Sequence, residues 1–160
     1  MQQSLFSKIL LAADHAGVYA KVDVVSYLEI QKDRLGFDSI IDFGTFNANV
    51  RVDYPVFAHI VAVSIKRDDV CGILTCARGI GMSIAANRFK HIRAALCYDI
   101  RSAFFARSHS NANLIVLSSE CGNSQETTHE MIKTFLTTEF QGGRYQSRLD
   151  MIDSNADLDV

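Results

Sequence analysis

Short, almost wholly apolar runs recur along this chain, each ended by glycine or polar residues and followed by a segment of helical period. A strand wetted on one face alternates apolar and polar residues, so a continuous apolar run signals a strand buried on both faces. Ile9 to Ala13 is such a run, stopped by Asp14-His15-Ala16-Gly17. Phe37 to Phe43, Val70 to Cys76, Arg93 to Cys97 and Leu114 to Leu117 are the others. Between them, Val18, Val22, Val25 and Leu28 recur at helical spacing up to Gly36. Val56, Phe57, Ile60, Val61 and Ile65 do the same after Pro55, a residue favoured in a first helical turn. Met82 to Phe89, the stretch around Ser102 to Arg107, and a long segment through Met131, Phe135 and Leu136 complete the helical pattern.

Strands alternating with helices predict an α/β fold: a Rossmann-like, doubly wound sheet of five mostly parallel strands in a three-layer α/β/α arrangement, with right-handed crossovers placing helices on both faces. Residues 1–153 read as one domain, and the acidic stretch 154–160 reads as a disordered tail. With 160 residues, 48% of them hydrophobic, the chain buries a core without disulfide or metal staples. A net charge of −2 with dispersed Lys and Arg argues against nucleic acid as a partner. No apolar run nears the roughly 20 residues that cross a bilayer, so no membrane partner is expected. Met1 to Ser7 lacks the charged and apolar parts of a signal peptide, which predicts a cytoplasmic chain. Cys71, Cys76, Cys97 and Cys121 lack zinc-ligand spacing and are expected as reduced thiols.

In doubly wound folds ligands bind beyond the carboxyl ends of the strands. That rule selects Asp14-His15, the Cys76-Ala77-Arg78-Gly79-Ile80-Gly81 turn, and the region of Tyr98-Asp99. Gly79 and Gly81 permit tight backbone geometry, and the amides that open the next helix attract an anion such as a phosphate or an enolate-like oxygen. Cys76 stands where that helix favours a thiolate, able to serve as nucleophile or base, although spacing alone also fits a small core residue. Asp14 reads equally as a helix cap. His109 fits a favourable charge at a helix end, and Arg144 with Arg148, one helical turn apart, fits either a phosphate clamp or a solvated face.

Together these segments resemble the ribose-5-phosphate isomerase B family, which also contains galactose-6-phosphate isomerase subunits. The matching pieces are Ala13-Asp-His-Ala-Gly17, Asp42-Phe-Gly-Thr45, Arg51-Val-Asp-Tyr-Pro55, Gly81-Met-Ser-Ile-Ala-Ala-Asn87, Ile92-Arg-Ala-Ala-Leu-Cys97 and Glu139-Phe-Gln-Gly-Gly-Arg144. They stand in family order from Lys8 to about Ile152. The resemblance implies an aldose–ketose isomerase, free of metal and cofactor, that interconverts ribose 5-phosphate and ribulose 5-phosphate through ring opening and a cis-enediolate. It places Cys76 as the base at C2, His109 at ring opening, and Asp14 in the same catalytic group. His15, Tyr54, Arg78, Gly79, Ile80, Gly81 and Asn111 fall at substrate-facing positions, and Arg144 and Arg148 match the phosphate-holding arginines. It further implies a homodimer or dimer of dimers whose sites are shared between subunits. An isomerase of a six-carbon sugar phosphate, allose or galactose 6-phosphate, or a non-catalytic phosphate-binding module, remain the alternatives.

Four positions leave the family pattern. Cys76-Ala77-Arg78-Gly79 stands where the family has Cys-Gly-Thr-Gly, and Ser118-Ser119-Glu120 where an arginine usually follows the strand. His109-Ser110-Asn111 replaces a His-Asn-Asp run, and Tyr145 replaces a histidine. Arg78 is expected either to restore the positive charge lost at Glu120 or to pair with that acid.

Overall fold

The computed structural model describes residues 2–152, so the acidic stretch 154–160 lies outside the described residues. The strands are β1 (Lys8–Ala13), β2 (Ser39–Asp42), β3 (Val70–Cys76), β4 (Ala94–Cys97) and β5 (Leu114–Ser118). The helices are α1 (Val18–Leu35), α2 (Tyr54–Ser64), α3 (Ile80–Ala86), α4 (Ile100–Ser108), α5 (Gln125–Thr137) and α6 (Arg144–Asp150). The strands form a single sheet in the order β2-β1-β3-β5-β4. Every pairing is parallel, which sharpens the expected mostly parallel sheet.

Residues of the central strands divide between the two faces with the period of two that pleating imposes. Ile9, Leu11, Cys71, Ile73, Ile115 and Leu117 pack beneath α1, α4 and α5, where Val24, Leu28, Ala103, Met131 and Phe135 meet them. Leu10, Ala12, Leu74, Cys76, Leu114 and Val116 pack beneath α2 and α3, against Ala58, Val61, Met82 and Ala86. All seven residues of β3 are buried, which is why that strand reads as an unbroken apolar run. Each fully buried Leu or Ile here contributes about 1.5–3 kcal/mol over an exposed one.

Several boundaries differ from the sequence expectation. β2 spans Ser39–Asp42 within the expected 37–43, and bonding to β1 carries on past it, the Phe43 amide donating to the Leu11 carbonyl (2.8 Å) and the Thr45 amide to the Ala13 carbonyl (2.8 Å). α3 stops before Phe89: the Asn87 side chain donates to the Ala94 carbonyl (2.9 Å) and accepts the Ala94 amide (2.8 Å), tying the helix end to β4. The long helix expected through Met131, Phe135 and Leu136 is α5, which begins at Gln125, where the Ser124 hydroxyl accepts the Thr127 amide. The polar segment after Gly142-Gly143 contains α6, a helix with no buried residue and therefore no apolar stripe to announce it. Among the described residues no helix is long and apolar enough to cross a membrane.

The strand order reverses at β1: the chain leaves β1 toward β2 on one side, and leaves β3 toward the β5-β4 side on the other. The carboxyl ends of β1 and β3 therefore flank the crevice where a ligand has room to enter.

Candidate functional site

Asp14 follows β1 and is buried at 8% exposure. Its Oδ1 accepts the amides of Ala16 and Gly17, each at 3.0 Å, closing a tight turn from which α1 starts. The helix is capped by Gly17 rather than by the Asp14 side chain, so the capping role gives way to a turn-forming one. A Cβ at Gly17 would lie 2.1 Å from the Thr75 carbonyl oxygen, so only glycine lets α1 approach the end of β3 this closely. The Thr75 hydroxyl donates to the Gly17 carbonyl at 2.9 Å and fixes that approach. This contact carries Asp14 to Cys76.

Cys76 ends β3 with its side chain on the α2/α3 face, only 6% exposed. The Gly79 amide donates to its Sγ at 3.0 Å. That geometry requires Gly79 to adopt φ 77, a left-handed conformation, and a Cβ there would lie 2.3 Å from Leu96 Cδ1. Burial pushes the Cys76 thiol pKa up, the Gly79 amide pulls it down, and the Asp14 carboxylate pushes it up again; the amides of Arg78 and Met82 pull weakly down. The net direction is upward, opposite to the thiolate expected from the helix start alone. Burial and a neighbouring carboxylate outweigh the amides.

The Tyr54 ring lies over Gly81 in the first turn of α3 and walls the turn on one side. His15 Nδ1 faces the Val52 amide at 3.4 Å, linking the end of β1 to the loop before α2. From β5, the Ser118 hydroxyl donates to the Ala77 carbonyl (2.6 Å), the Ser119 amide to the Cys76 carbonyl (2.9 Å), and the Glu120 amide to the Ala77 carbonyl (3.1 Å). These bonds strap the turn down. Arg78 Nη2 and Glu120 Oε2 stand 3.3 Å apart, both exposed, so of the two expectations for Arg78 the pairing with Glu120 is the one observed.

The remaining site residues lie elsewhere. His109 caps the C-terminus of α4, five positions before Leu114, and Leu114 pairs with Gly72 while Ser118 pairs with Cys76. Four residue steps, about 13 Å of strand, therefore separate the level of Cys76 from the start of β5. Arg144 and Arg148 sit on α6 beside His109, and Tyr145 between them stacks on the imidazole, centroids 4.0 Å apart. Asn111 turns inward: its Oδ1 accepts Arg107 Nη1 at 2.9 Å, and its own φ is 44. A cleft of about 630 Å³ next to this group is lined by Arg88, Arg93, Asn111, Gln146 and Leu149, and neither Cys76 nor Asp14 reaches it.

One chain thus gathers Asp14, His15, Tyr54, Cys76, Arg78, Gly79, Ile80 and Gly81 at one end of the sheet. It gathers His109, Asn111, Arg144 and Arg148 at the other, and does not bring the two sets together. Sequence reasoning missed Lys21, which is fully buried and donates from Nζ to Asp42 Oδ1 at 2.6 Å beneath the Phe46 ring, 4.3 Å away. The only sequence signal was its place three residues after Val18 on the buried stripe. Among the described residues no three His, Cys, Asp or Glu side chains cluster as metal ligands would.

The family described as Ribose/Galactose Isomerase matches residues 9–152 of the chain. A ribose 5-phosphate isomerase structure from Thermotoga maritima is 43% identical, with a TM-score of 0.83 over 92% of this chain and 97% of that one. The Mycoplasma genitalium ribose-5-phosphate isomerase B, solved with bound ribulose-5-phosphate, is 35% identical, with a TM-score of 0.83 over 91% of this chain and 93% of that one. The Escherichia coli ribose-5-phosphate isomerase B is 35% identical over 146 residues, 91% of this chain and 93% of that protein.

Proposed function

The chain belongs to the ribose/galactose isomerase family and is a sugar phosphate isomerase; from that premise we propose that it interconverts ribose 5-phosphate and ribulose 5-phosphate. The observation that carries this reading is the Cys76 cradle, a sulphur that accepts the Gly79 amide at 3.0 Å beside a buried carboxylate. A proton-transfer site needs a base whose charged form is held by fixed donors, with further donors near the oxygen that becomes negative. The first-turn amides of α3 have no intrahelical carbonyl partners and face the same space.

In this reading His109 moves a proton between the ring oxygen and O1, opening the furanose to the aldehyde. The Cys76 thiolate removes the C2 proton, and the electron pair left behind forms the enediolate, whose charge on O1 meets the amides from Gly79 to Gly81. Cys76 returns that proton to C1 while the O2 proton passes to O1, giving the ketose. Arg144 and Arg148 hold the phosphate. His15, Tyr54 and Asn111 shape the pocket, with Asn111 contributing through the loop that Arg107 fixes.

The reading needs two chains, since Cys76 and His109 lie toward opposite ends of the sheet, and the assembly proposed is a homodimer or a pair of such dimers. Exposed apolar side chains that start near the Cys76 turn and run along the neighbouring helices, Val56, Ile60 and Val63 on α2 with Ile80 and Ile84 on α3, suit burial against a second copy.

The test is an isomerase assay without added metal on ribose 5-phosphate beside allose 6-phosphate and galactose 6-phosphate. Turnover of the pentose phosphate, with Cys76→Ala slower by about a thousandfold or more, is the expected outcome. Turnover of a hexose phosphate alone assigns the second substrate class. Binding with no turnover of any of them sinks catalysis altogether.

A further inference from the structure

Tyr145 touches every polar side chain that the isomerase reading requires from α6 and the end of α4. Its ring is nearly parallel to the His109 imidazole, centroids 4.0 Å apart and planes 13° apart. Phe105 backs the same imidazole at 4.6 Å and 41°. Among the described residues neither imidazole nitrogen has a hydrogen-bond partner, so the orientation of His109 rests on this ring packing. A stacked pair fixes the plane of a ring and leaves its edge, where the nitrogens are, open to a substrate.

The Tyr145 hydroxyl accepts a hydrogen bond from Arg144 Nη2 at 2.9 Å. The Arg144 and Arg148 guanidinium carbons lie 4.9 and 5.7 Å from the ring centroid. A guanidinium on an exposed helix otherwise samples many rotamers, and each rotamer lost on binding costs affinity. Anchoring Arg144 in advance removes part of that cost. The hydroxyl keeps its own proton free to point at the anion that Arg144 binds.

We propose that Tyr145 is a positioning residue of the isomerase: its ring sets the plane of His109, and its hydroxyl holds Arg144 ready for the phosphate. This rests on the isomerase reading above. The two functions separate by substitution. Phe keeps the ring and loses the hydroxyl, His keeps a stackable ring and loses the hydroxyl, and Leu loses both.

The experiment is steady-state kinetics on ribose 5-phosphate with full-length Tyr145→Phe, Tyr145→His and Tyr145→Leu, alongside titration of each with inorganic phosphate. Tyr145→Phe is expected to raise KM about three- to tenfold with kcat within about twofold, as suits the net loss of one ordinary hydrogen bond at an exposed site. Tyr145→Leu is expected to raise KM as much and to lower kcat about tenfold or more, since a mis-set acid–base group loses its near-attack geometry. Tyr145→His is expected to recover kcat and not KM. The proposal is overturned if Tyr145→Leu keeps the parental kcat, or if Tyr145→Phe loses as much kcat as Tyr145→Leu. Should Tyr145→Leu fail to fold, the Phe and His variants decide by the same split. A parent that turns over no sugar phosphate sinks the isomerase reading alone. The phosphate titration then judges Tyr145, and equal affinity in the parent and Tyr145→Phe overturns the proposal.

Discussion

Burial and the Asp14 carboxylate both hold the proton on Cys76, against the pull of the Gly79 amide on the sulphur. The thiol pKa stands above its usual value, so the thiolate that the proposed mechanism needs forms only as pH rises through it, and kcat/KM is expected to climb on an alkaline limb. Asp14→Asn removes the like charge while keeping an oxygen for the Ala16 and Gly17 amides. That limb is expected to move to lower pH in the variant, measured as kcat/KM against pH; a limb that stays put or moves upward refutes the coupling. Position alone singled out Cys76, as the thiol at the mouth of a strand-to-helix turn, from Cys71 and Cys97, which sit wholly inside the core. The upward shift was hidden because it comes first from a burial that no local pattern encodes, and then from Asp14, sixty-two positions away in the chain. The inward turn of Asn111 was equally hidden, since it depends on the buried Arg107, whose pKa burial lowers to about 10.

Helix α1 shows how a correct element can be read with the wrong face. The spacing of Val18, Val22, Val25 and Leu28 predicts the helix, yet the buried stripe is Val18, Lys21, Val24 and Leu28, while Val22 is exposed. A lysine counts as polar in any periodicity, but its apolar stem lies along the core while its head meets Asp42 at the end of β2. Lys21→Met should leave Asp42 with the Gly44 amide in place of a full cation and destabilise the fold by about 3 kcal/mol, because one half of a buried pair is costly when left alone. Denaturant unfolding reads this directly, and an unchanged midpoint shows the pair to be dispensable. Helix α6 failed to register for a different reason. It buries nothing, so its arginines stood in the sequence as a spacing without an element.

For the molecule as a whole, alternating buried strands and helices prescribed a parallel doubly wound sheet, and the strand order β2-β1-β3-β5-β4 put Asp14 and Cys76 at one crevice. The sequence motifs did not say that His109 and α6 would lie at the other end, because the position of a helix terminus relative to a distant strand end follows only from the full topology. Complementation tests whether two chains share each site. Cys76→Ala and His109→Gln, each inactive alone, are expected to regain about a quarter of parental activity when co-expressed in equal amounts, since half the dimers are mixed and each mixed dimer rebuilds one intact site. No recovery in a confirmed mixed dimer places both residues in a single chain's site. The distance between the two ends of the sheet has a further meaning for the kinetics. In the proposed dimer each site on a lone folded chain holds only half of its reacting groups, so folding is expected to yield a stable but inert species, with chemistry beginning at encounter. Below the dissociation constant of that pair, the rate is then expected to grow with the square of chain concentration, and dilution alone to silence turnover without unfolding a residue.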